Sequence, residues 1–257
     1  MTTESPAATA SPAAPPYEPL RFEATTPAIP AQNAGPDSGS ATRIDRDGIH
    51  VRWVMPEIFH DLPIHEEDED EGARLLEELA AKALPGAEDE DLLKLAVICA
   101  LGIDDLLESG AEYAAIAVGA VGDAPCSATV YAALVDSPED EDADPLAAIA
   151  SSLRREDAGE VTELLLPCGP AVSCIGTRVD KVTGELTESP DGIRIPTWFI
   201  RVYVPLPNGT TLVMELGTPT QVGWDEFSTM FGNIVSSIRL FEADGEPLIV
   251  PDRDAAA

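Results

Sequence analysis

The chain has 257 residues, room for one large domain or two small ones, and 44% of them are hydrophobic, enough for a packed core. Its formal net charge of −32 argues against nucleic acids and anionic membranes as partners, because phosphate binding rests on Lys and Arg. No run approaches the roughly 18 consecutive apolar residues of a membrane span, and Met1-Thr-Thr-Glu-Ser-Pro6 lacks the basic start and apolar core of a signal peptide. The expected compartment is the cytoplasm, where Cys99, Cys126, Cys168 and Cys174 would be reduced thiols.

Residues 1–45 are rich in Ala, Pro, Ser and Thr without apolar periodicity, and they read as a disordered tail. A single α/β domain is expected over 46–243, followed by a flexible acidic tail over 244–257. Order is expected from about Gly48, where Ile49 to Met55 alternates as a strand with Ile49, Val51, Trp53 and Met55 on one side. Phe59, Leu62 and Ile64 would pin the following connection to the core.

An unbroken acidic run, Glu66, Glu67, Asp68, Glu69, Asp70 and Glu71, leads into a helix expected over 73–84. A second cluster, Glu88, Asp89, Glu90 and Asp91, starts another helix that runs to about Leu107. Acidic residues suit helix starts because the exposed N–H groups there carry partial positive charge. Pro85-Gly86 separates the two as a helical hairpin. The run at 66–71 lacks the ligand spacing, central Gly and closing Glu of a calcium loop, so it reads as a solvated helix start.

Tyr113 to Val121 and Ser127 to Val135 read as apolar strands joined through Gly122-Asp-Ala-Pro125. Their many small residues predict close approach by a packed helix. An acidic loop over 137–144 precedes a helix that opens on Pro145, where the missing N–H costs nothing, and stops near Arg155. Val161 to Leu166 and Ala171 to Val179 form the next hairpin, around Pro167-Cys-Gly-Pro170. After a polar excursion over 180–191 comes the closing unit. Ile193 to Val204 is a β-branched and aromatic strand, Leu206-Pro-Asn-Gly209 is a tight turn, and Thr210 to Leu216 is the return strand. A helix over 224–239 then carries Trp224, Phe227, Phe231, Ile234, Val235 and Ile238 as one apolar stripe. The fold class expected is therefore α+β, an antiparallel sheet of about six to seven strands packed with helices.

Chemistry-bearing motifs are sparse. Cys168 and Cys174 are close in sequence but form neither a CxxC pair nor a zinc pattern, and two unrelated strand thiols is the simpler reading. His60 and His65 have no metal-binding frame around them. There is no nucleophile elbow, phosphate-binding loop or dinucleotide fingerprint, so no enzyme, cofactor or metal is expected. Arg178, Arg194 and Arg201 are notable among few basic residues. They could line a ligand pocket between sheet and helices, although salt bridging to acidic neighbours explains them more simply.

The closing unit, Trp198-Phe-Ile-Arg-Val-Tyr-Val-Pro205, Leu212-Val-Met-Glu-Leu-Gly-Thr-Pro219 and Phe231-Gly-Asn-Ile-Val-Ser-Ser-Ile238, resembles the Mog1/PsbP-like α/β sandwich. It is also similar to actinobacterial proteins with the same ending, and the Ala/Asp/Glu-rich composition suits a high-GC source. The resemblance spans roughly 48–241, carries no catalytic residue across, and implies a non-catalytic binding or assembly scaffold. The expectation is a protein-binding or accessory factor, at the next level one of a secretion or envelope system. Its acidic helix starts at 66–71 and 88–91 would face a basic partner. The alternative is a small-molecule binder or enzyme using the arginine region.

Overall fold

The computed structural model describes residues 41–46, 48–137, 144–182 and 192–248. Residues 1–40 of the tail expected over 1–45, most of the acidic loop at 137–144, residues 183–191 of the excursion expected over 180–191, and the last residues, 249–257, lie outside them. Every described residue belongs to one compact unit.

The elements follow in the order β1 (Ala41–Arg46), β2 (Ile49–Val54), β3 (His60–Asp61), α1 (Glu69–Ala83), α2 (Asp89–Glu108), β4 (Ala111–Val121) and β5 (Ala124–Asp136). Then come α3 (Pro145–Arg155), β6 (Glu160–Leu166), β7 (Gly169–Val182), β8 (Ile193–Pro205), β9 (Thr210–Thr218), α4 (Trp224–Ser236) and β10 (Arg239–Glu242). The fold class is α+β, as expected: four helices with antiparallel sheets. A seven-stranded sheet runs β3-β4-β5-β9-β8-β7-β6, and a separate three-stranded sheet runs β1-β2-β10.

One face of the large sheet carries the main core. Val130, Ala132 and Leu134 of β5, Leu212, Met214 and Leu216 of β9, and Ile200 and Val202 of β8 meet Phe227, Phe231 and Ile234 of α4. Val51 and Trp53 of the small sheet close over them, with Trp53 edge-on to Tyr113 at 5.2 Å between ring centroids. Strand alternation sends the odd-numbered residues of β5, β8 and β9 to the opposite face. There α1 and α2 cover β3 and β4, while α3 covers β6, β7 and β8. The small residues of β4 do receive a close helix: Ala111 and Ala114 cluster with Ala80, Ala83 and Ala96.

Several boundaries differ from the sequence reading for identifiable reasons. Ala41–Arg46 pairs with β2, so ordered chain begins before the 45/46 boundary. Helix α1 begins inside the acidic run because the Asp68 side chain caps it, accepting from the backbone N–H groups of Asp70 (3.0 Å) and Glu71 (3.1 Å). Helix α4 ends at Ser236, short of Arg239. Ser237 Oγ donates to the Ile234 carbonyl (2.6 Å) and accepts from the Val54 N–H (2.9 Å), and the chain leaves to pair as β10 on the free edge of β2. Leu248, inside the tail expected over 244–257, packs against the main core.

Candidate functional site

The acidic helix starts are exposed, but part of their charge is already engaged. Glu66 Oε1 accepts from the Asp68 N–H (3.1 Å), and Asp68 caps α1. Glu71 is half-buried and pairs with Arg74, whose hydrogen bond lowers the Glu71 pKa. At the second start, Lys94 pairs with Glu90 (2.8 Å) and lies 3.6 Å from Asp91. Glu67, Glu69, Asp70, Glu88 and Asp89 are exposed. Residues 72–83 of α1 lie between the two clusters, about 18 Å at a helical rise. They are two charged ends rather than one acidic patch.

Between those ends and the far end of α2 lies a surface that sequence reasoning missed. From Leu92 to Ile103 the helix has a single charged residue, Lys94. Leu92, Leu95, Ala96, Cys99, Ile103 and Leu106 face the cluster shared with α1 and β4. The outer side is also apolar: Leu93 is 59% exposed, Ile98 58%, and Val97, Leu101 and Leu107 are exposed as well. Carboxylates bracket this stripe, with Asp89, Glu90 and Asp91 at its start and Asp104, Asp105 and Glu108 at its end. The available signal was a helical segment apolar on all sides, which belongs in a buried setting and here has only one side covered.

The second concentration of polar chemistry lies on the same sheet face, between the α1–α2 hairpin and α3. Strand register sets Ala114, Tyr131, Glu215, Arg201, Cys174 and Val161 side by side across six strands. Glu215, only 1% exposed, is the centre. Arg201 grips it through Nε and Nη2, Arg178 donates through Nη1, and Tyr131 Oη donates from 3.3 Å. Arg178 Nε also donates to Asp180 (2.8 Å), and Arg201 Nη1 to Tyr203 Oη (3.2 Å). Both guanidinium groups lean over the Phe199 ring, 5.6 and 5.5 Å from its centroid. A Cβ at Gly176 would sit 2.7 Å from the Ala158 carbonyl oxygen and 3.0 Å from the Phe199 ring, so the close approach of both needs glycine there.

Burial alone would lower the pKa of either arginine; Glu215 overrides it and raises both. Burial, helped by Glu215, pushes the Tyr131 hydroxyl up to about 12. The arrangement thus holds fixed ion pairs and a neutral phenol at physiological pH. Of the three arginines singled out from sequence, the fold unites Arg178 and Arg201, whereas Arg194 is exposed near the start of β8, opposite Lys181.

The cysteines are free and buried. Cys168 belongs to the main core and Cys174 to the α3 cluster on the other sheet face, so they do not pair. Burial pushes Cys99 and Cys168 up to about 11, which makes them poor nucleophiles. His65 Nε2 donates to the Glu112 carbonyl (2.9 Å), and His50 lies 3.5 Å from Asp45. Among the described residues no helix is long and apolar enough to cross a membrane.

Fold and surface together define an α+β sandwich with an apolar, acid-bracketed helix on its outside. Comparison with known proteins finds no matching family and no matching curated protein.

Proposed function

We propose that the protein is a non-catalytic, cytoplasmic binding or accessory factor that engages a basic protein partner through its α1–α2 hairpin. The observation that carries this reading is the exposed apolar side of α2 set between acidic ends. Apolar contact would supply affinity, and the carboxylates at 66–71 and 88–91 would speed encounter and select a cationic surface. The matched ion pairs around Glu215 support a structural role for Arg178 and Arg201 over a ligand pocket. On the sequence resemblance of the closing unit, the proposal extends to membership of the Mog1/PsbP-like superfamily, and with it a scaffold role in a bacterial secretion or envelope system.

Affinity capture with the full chain from its source cells, at low and then moderate salt, tests the reading. One protein retained stoichiometrically at low salt and released as salt rises is the expected result. Recovery of the chain alone at both salts would sink it.

A further inference from the structure

We propose that the outer side of α2 is the docking site for an amphipathic helix that carries Lys or Arg at both ends of an apolar stripe. The inference rests on the partner-binding reading above and names the partner's chemistry. Helix α2 has 20 residues, about 30 Å of helix, and Leu93, Val97, Ile98 and Leu101 present side chains along its middle. A helix with apolar residues at three- and four-residue spacing matches such a row by ridge-and-groove packing.

Charge decides among occupants. The last turn of α2 has no basic residue, while Asp104, Asp105 and Glu108 crowd its end. Carboxylates there oppose the partial negative charge of the helix terminus, so α2 is disfavoured electrostatically at that end until a cation approaches. The start, with Asp89, Glu90 and Asp91 against Lys94 alone, also carries excess negative charge. A partner with cations at both ends relieves the unfavourable charge at the end of α2 and pairs with the carboxylates left over at its start. A second copy does not, since α2 laid against α2 in either direction brings carboxylates against carboxylates.

The test uses the full chain and a fluorescent 18-residue peptide of Leu and Lys, with Leu at helical three- and four-residue spacing. A scrambled peptide of the same composition and an all-Lys peptide serve as controls, and anisotropy gives the affinities. The patterned peptide is expected to bind at least about tenfold tighter than the scrambled one. That advantage is expected to vanish in the double variant Leu93→Gln/Ile98→Gln, whose melting curve should match the wild type. Replacing Asp104, Asp105 and Glu108 by Asn, Asn and Gln should weaken binding several-fold and flatten its salt dependence.

Equal binding of all three peptides would overturn the apolar site while leaving an acidic partner surface intact; no binding of any at low salt would remove both. A dimer in sedimentation equilibrium that the double variant abolishes would assign the face to a second copy and overturn the proposal. Binding that emerges only after residues 1–40 are removed would assign it to the chain's own N-terminal segment, with the same consequence.

Discussion

Helices α2 and α4 are both long and apolar, yet the fold treats them differently. In α4 the apolar residues share one side, Phe227, Phe231, Ile234 and Val235 are buried, and Asp225, Glu226, Thr229 and Asn233 take the outer side. In α2 only Ala96 and Cys99 are fully buried, while larger apolar residues stand outside. Helix α4 is used up by its own fold. Helix α2 keeps an apolar side that folding leaves uncovered, and under the proposed function that side is the recognition surface.

Three single substitutions and one triple replacement would break or sharpen this contrast. Phe231→Ala, at a site with no exposure, is expected to cost about 3–5 kcal/mol in urea unfolding, from lost burial plus the cavity left behind. A loss below about 1 kcal/mol would mean that α4 is not a cornerstone of the main core. Glu215→Gln leaves two guanidinium groups without their shared anion. The expected cost is roughly 2–4 kcal/mol, below a fully buried pair because both arginines reach solvent. Replacing Arg178, Arg201 and Glu215 together by Met, Met and Leu should recover most of that loss, and failure to recover would argue for a role in backbone geometry. Ile98→Gln, on the outer side of α2, is expected to change stability by no more than about 0.5 kcal/mol. A larger loss would show that Ile98 is covered within the monomer, and the docking face would have to be abandoned.

Local pattern carried the reading where a residue's neighbours in sequence are also its neighbours in space. The return strand from Thr210, the turn at Leu206–Gly209 and the stripe of α4 all came through, because strand and helix periods are local properties. The end of α4 did not. Ile238 falls four residues after Ile234 and continues the helical spacing, although it is buried just beyond the helix end, where the chain turns into β10. Strand β1 likewise has no apolar alternation that would mark it, and its pairing with β2 defines it.

The sequence by itself determined the fold class, most helices and hairpins, the acidic helix starts and the absence of familiar catalytic motifs. These depend on periodicity, capping and composition, which act over a few residues. Only the tertiary structure decided that β1, β2 and β10 form a second sheet, that Glu215 is buried between arginines 37 and 14 residues away in sequence, and that one side of α2 remains exposed. Each of those depends on which distant segment covers which face, and a one-dimensional pattern specifies that a face is apolar without specifying what lies against it.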